Sequence, residues 1–194
     1  MARPREFDVD TALERAMQAF WAKGYAATSL DDLCAATGLG RSSLYAAFGG
    51  KRELLHRSLQ RYEEQGIARI AAALSRTVPV REAFAAFLDQ FIERIVAGPG
   101  RRGCFIGNCA AELARRDRAT AARVRRSLER VEATFRDALG RARARGEIAA
   151  GADIGALARF LVAGTQGLRL VGKVNPDRAA LQDIRDVMLR CLER

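Results

Sequence analysis

Gly38 lies between two short stretches, TSLDDLCAAT and RSSLYAAF, that can each form a helix but cannot form one together. Thr28 or Ser29 can cap the first, and Asp31 and Asp32 fall in its first turn, where the positive end of the helix dipole favours carboxylates. Leu30, Leu33 and Cys34 recur on one face, and Gly38 supplies the left-handed backbone that stops the helix. Leu39 is an apolar plug in the turn. A second helix is expected from about Arg41 to Phe48, burying Leu44 and Phe48 at i, i+4 spacing. The pattern predicts two short helices joined by a glycine turn.

Such a pair is a helix-turn-helix, in which the second helix can enter a major groove with its N-terminal residues at the base edges while the first crosses the backbone. Arg41, Ser42, Ser43 and Tyr45 would be exposed there, donors suited to phosphate oxygens and base edges. From Phe7 to about Leu55 the chain resembles the TetR family of one-component transcriptional regulators. The resemblance rests on Phe20, Gly24 and Tyr25, then Thr28 and Ser29, Gly38 and Leu39, Leu44 and Tyr45, Phe48, Lys51 and Leu54. It implies a repressor bound as a homodimer to palindromic double-stranded operator DNA and released by an effector. Three departures matter: Gly40 stands where a serine often caps the recognition helix, Gly49 and Gly50 precede Lys51 where a proline and a polar cap are common, and Ala46 and Ala47 replace larger groups. The contacts expected are therefore phosphate anchoring by Thr28, Tyr45 and Lys51 and guanine readout by Arg41, with Ala46 able only to touch a thymine methyl.

The formal charge of +10 invites a nucleic-acid partner, but its distribution does not favour the motif. Residues 1–50 hold five basic groups against six acidic ones, whereas residues 101–150 hold 13 arginines against six acids. Most of that surplus reads as a solvated helix face. The reading finds no run of about 18 apolar residues and no apolar leader in MARPREFDVD, so no membrane span and a cytoplasmic place are expected. Cysteines at 34, 104, 109 and 191 show no metal spacing; no metal and no cofactor is expected. His56, the single histidine, sits beside Lys51, Arg52 and Arg57 with no acyl-transfer constellation, so the chain does not read as an enzyme.

Helical periodicity accounts for the rest. Helices are expected over about 8–23, 51–74, 79–95, a short buried one in GCFIGNCAAELA, an arginine-rich one over 118–145, an apolar one over 154–171 and an amphipathic one over 177–192. The fold class is all-α: a three-helix head over 1–50 that binds DNA, joined by a long helix to a helical effector-binding and dimerisation body over 51–194. In the resembling family the last two helices form the dimer interface and the middle helices enclose a ligand pocket. Leu157, Phe160, Leu161, Gly164 and Leu168 make a helix too apolar for solvent on all sides, with Gly164 and Gly167 permitting close approach of a partner helix. Phe84, Phe87, Phe91, Cys104, Phe105, Asn108 and Gln166 are the candidate pocket residues for an unidentified small-molecule effector.

Cys104 follows a glycine at a helix start, behind Arg101 and Arg102, a setting expected to acidify a thiol. The GCFIGN segment also resembles a TetR subgroup with Gly-Cys at this point, some members of which sense electrophiles or oxidants. Two rival readings stay open: a basic helical protein binding nucleic acid without sequence choice, and a small helical enzyme.

Overall fold

Capping side chains and glycines set most of the helix ends. The computed structural model describes residues 8–75 and 77–193; Phe7, where the family resemblance begins, lies outside them. α1 (Val9–Lys23) is capped by Asp8, whose carboxylate accepts from the Asp10 N–H at 3.0 Å. α2 (Leu30–Thr37) is opened by a reciprocal box in which Ser29 and Asp32 each accept the other's backbone N–H. It closes on Gly38 at φ 74°, a left-handed conformation that glycine adopts without strain. α3 (Arg41–Phe48) has Gly40 in front and Gly49 behind, with no side-chain cap. α4 (Lys51–Leu74) and α5 (Val80–Val96) follow, then a 3-10 turn over Pro99–Arg102 and the short α6 (Phe105–Leu113). α7 (Arg118–Ala144), α8 (Ile154–Val174) and α9 (Arg178–Arg190) complete the chain, capped by Asp117, Asp153 and Asp177. No strand occurs among the described residues, so the architecture is all-α as expected.

Two apolar cores form. The body core gathers Phe84, Phe87, Leu88, Ile92, Phe135, Leu139, Leu161 and Leu168 from α5, α7 and α8, closed by Leu181 and Met188 of α9. The head core unites Ala16, Phe20, Leu33, Leu44 and Phe48 with Leu54, Leu55 and Leu59 of α4, and with Phe105 and Cys109 of α6. A boundary at residue 50 thus cuts the chain but not the packing. Ties from α1 to α4 reinforce this: Glu14 accepts from Arg61 Nε at 2.8 Å and from Gln65 at 3.0 Å.

Among the described helices α8 is long and apolar enough, by length and composition alone, to cross a membrane. Within the chain its buried face packs on α5, α7 and α9, while Phe160, Leu170, Val171 and Val174 remain exposed. Gly164 is occupied internally, since a Cβ there would lie 2.5 Å from Met188 Cε of α9, whereas nothing approaches Gly167.

Candidate functional site

α3 is held from behind by Leu44 and Phe48, both buried, and so turns the opposite face outward. Ser42 and Ser43 are exposed in its first turn, and Tyr45 is 49% exposed one position beyond Leu44. Arg41 is exposed but engaged: its guanidinium grips the Asp31 carboxylate in a fork, with Nη2 at 2.8 and 3.0 Å and Nε at 3.2 Å. Both partners face solvent, so DNA can compete for the arginine at small cost. Lys51, in the first turn of α4, places Nζ 4.3 Å above the Tyr25 ring. Four of these groups stand on α3, and Lys51 stands at the start of α4.

Thr28 does not join them. Its side chain is fully buried and its hydroxyl donates to the Gly24 carbonyl at 2.5 Å, bracing the α1–α2 corner. The cap of α2 is Ser29, so the alternative left open between the two residues resolves to Ser29, and Thr28 is not a side-chain phosphate anchor.

Behind the head lies a cavity of about 90 Å³ between α4, α5, α7 and α8. Phe87, Phe91, Cys104 and Gln166 line it, as expected. Phe105 and Asn108 do not. Phe105 packs edge-on against Tyr62 at 5.7 Å, inside the head core, and Asn108 donates to the Arg102 carbonyl at 2.9 Å, fixing the loop before α6. Phe84 packs on Phe135 at 5.1 Å, also off the cavity wall. The periodicity of α5 and α6 gave these residues apolar faces but could not say which side of each helix meets the hollow.

Tyr62 and Arg169 are wall residues that the sequence reading passed over. Arg169 Nη2 donates to the Tyr62 hydroxyl at 2.8 Å, and that hydroxyl points to Cys104 Sγ at 3.9 Å. Burial, reinforced by Cys104, pushes the Tyr62 phenol up to about 12, so it stays a donor at any working pH. Arg169 was legible as one of two charges in an otherwise apolar run; Tyr62 was hidden within the α4 core stripe. Arg101 and Arg102 turn away from Cys104. Arg101 bonds the Ile95 carbonyl at 3.3 Å, and Arg102 stacks 4.3 Å over Trp21 and donates to Gln18 at 2.8 Å. Cys109, the other α6 cysteine, is buried, and burial followed by Glu112 and Cys104 pushes its thiol up to about 12.

α6 also reaches the head directly. The Glu112 carboxylate accepts the backbone N–H of Tyr25 at 2.9 Å and of Ala26 at 2.7 Å, in the corner that orients α2. His56 belongs to another junction, 3.1 Å from Thr120 Oγ1. Thr120 gives its proton to Asp117 at 2.8 Å, so the His56 Nε2 must carry the hydrogen toward it. Burial holds the imidazole below its ordinary pKa, which keeps that neutral form. Among the described residues no three His, Cys, Asp or Glu side chains gather into a metal site.

The chain matches the family model of bacterial regulatory proteins of the tetR family over residues 12–57, and the tetracyclin repressor-like C-terminal domain over residues 80–188. It is 34% identical to the HTH-type transcriptional regulator YezE of Bacillus subtilis over 194 residues, all of both chains. To the HTH-type transcriptional repressor ComR of Escherichia coli it is 34% identical, over 97% of this chain and 90% of that one. Among solved structures, a cysteine mutant of the TetR family regulator CifR, complexed with a 26-base-pair double-strand operator, superposes with a TM-score of 0.86. It shares 32% identity, covering 97% of this chain and 98% of that one. With both halves of the chain accounted for and an exposed recognition helix at one end, the chain belongs to the TetR family of bacterial regulatory proteins and is a DNA-binding transcriptional repressor of that type.

Proposed function

We propose that this repressor is a homodimer that holds a palindromic operator in its effector-free form and leaves it when a small molecule enters the cavity between α4 and α8. The observation that carries the reading is the paired hydrogen bond from Glu112 to Tyr25 and Ala26, because it joins the helix behind the cavity wall to the corner that orients α2 and α3. An effector that binds better to a displaced α6 misplaces the heads, and operator and effector then weaken each other equally.

Residues 1–50, helped by Lys51 at the start of α4, do the DNA binding, and residues 51–194 otherwise serve sensing and dimerisation. Arg41, Ser42, Ser43, Tyr45 and Lys51 are the DNA contacts. The dimer forms through α8 and α9, whose exposed Phe160, Leu170, Val174 and Val187 supply the apolar face that a second copy would cover. Phe87, Phe91, Cys104 and Gln166 touch the effector. A thiol-reactive effector would act at Cys104, which lies on the cavity wall, while Cys109 is held protonated. The place of work is the cytoplasm, where the operator is, and the chain is not an enzyme.

Selection of bound sequences from random DNA with the full chain tests the reading. A palindromic site preferred by orders of magnitude is expected, released by effector, and released by mild alkylation in wild type but not in Cys104→Ser. Steep salt dependence without sequence preference would instead identify a nonspecific basic binder.

A further inference from the structure

The cavity wall carries an imbalance of charge. Arg69 and Arg94 are exposed at its rim and Arg169 lies deeper, and none of the three has a carboxylate partner among the described residues. Glu63 is the acidic residue on that wall, and it is 4% exposed and bound to Arg130 and Ser127 on α7. Arg169 rests instead on the Tyr62 hydroxyl and on the Phe91 ring, 4.5 Å from its centroid. Although Arg69 is exposed as a whole residue, partial burial of its guanidinium first, then the repulsion of Arg94 and Arg169, holds it below its ordinary pKa, against the pull of Tyr62. Trp21, also on the wall, keeps its buried Nε1–H without an acceptor.

Guanidiniums gathered on one cavity wall without an anion are unfavourable, and their fork geometry matches a carboxylate. We propose that the cavity binds a small anionic ligand, a carboxylate or similar oxyanion with a short apolar tail, through Arg69, Arg94 and Arg169. The tail lies against Ile67, Ile70, Phe87 and Phe91. Size restricts the class further: about 90 Å³ is far below the roughly 300–1,000 Å³ of drug-sized sites, so a few-carbon acid fits. Gly66 leaves part of that room, since a Cβ there would meet nothing within 4 Å.

The proposal rests on the cavity being the effector site, and the test separates the two. Butyrate and its neutral isostere butyramide are titrated into the full chain by calorimetry, with operator affinity followed in parallel. Butyrate is expected to bind about tenfold or more tightly than butyramide, as charge-assisted pairing requires. Arg69→Met with Arg94→Met should remove that preference, and Gly66→Leu should exclude both compounds. Arg115→Met with Arg116→Met, which removes equal charge from the exposed turn after α6, should change neither. Absent butyrate binding, equal binding of the amide, or an equal loss in the Arg115 and Arg116 variant each overturns the anion site. Butyrate bound without any change in operator affinity would leave the anion site standing and sink the effector reading; release by uncharged compounds alone would do the reverse.

Discussion

The Thr28 hydroxyl sits in a fully buried corner and donates to the Gly24 carbonyl, so its chemistry is structural. Thr28→Val keeps the shape and removes the bond, and should cost about 1 kcal/mol of stability in chemical denaturation. The salt slope of operator binding should stay unchanged; a slope flattened by about one would restore Thr28 as a phosphate anchor. Arg41 presents the opposite case. Its fork to Asp31 is exposed on both sides and also places a carboxylate beside the first turn of α3. Asp31→Asn frees the guanidinium and lifts that negative charge. Operator affinity at low salt should rise, with the logarithmic salt dependence steeper by about one, as read from anisotropy titrations at several salt concentrations.

At the level of the element, α2 and α3 differ in how firmly they are closed. α2 has its reciprocal box, and Lys23 contacts Asp32 at 2.5 Å. The Lys23 hydrogen bond, then those of Ser29, hold Asp32 at about 2, down from 3.8. Because the folded pKa is depressed, the contribution is complete above about pH 4 and is lost as pH falls through about 2. The acid limb of the unfolding curve should shift to higher pH in Asp32→Asn; an unmoved limb would show that Asp32 does not hold the head. α3 lacks both caps. Gly40 is at φ −69°, ψ 159°, which any residue adopts, with open space around a would-be Cβ. Gly40→Ser should therefore raise stability by about 0.5–1 kcal/mol through a new cap and a stiffer unfolded chain. Helix ends were legible in the sequence because capping is local: Ser29, Gly38, Gly49 and Asp117 decide them within a turn. The cavity wall was legible only in part. A helical stripe marks Phe87 and Phe105 alike as buried, and only the crossing of α4, α6 and α8 places one on the hollow and the other in the head core.

At the scale of the whole molecule, the proposed release requires that a small cavity act on a distant helix. The apolar face of α8 bears on whether two heads act together: Leu170→Glu with Val174→Glu, at positions 67% and 82% exposed, should leave the fold intact and give a monomer by light scattering, with operator affinity falling steeply. In the proposed release the link from cavity to head is α6, with Cys104 at its N-cap on the cavity and Glu112 at its far end on the Tyr25–Ala26 backbone. A rigid helix so placed converts a shift at one end into a shift at the other. Glu112→Gln keeps one acceptor oxygen but turns an amide NH₂ toward the second backbone donor, costing about 1–3 kcal/mol at that corner. Binding of ligand to the body should persist, because Glu112 is not on the cavity wall, while the ratio of operator dissociation constants with and without ligand should fall toward one. If that ratio keeps its wild-type value, the signal travels instead along α4, whose Arg61 and Gln65 hold Glu14 of α1, and Glu14→Gln becomes the variant that breaks it.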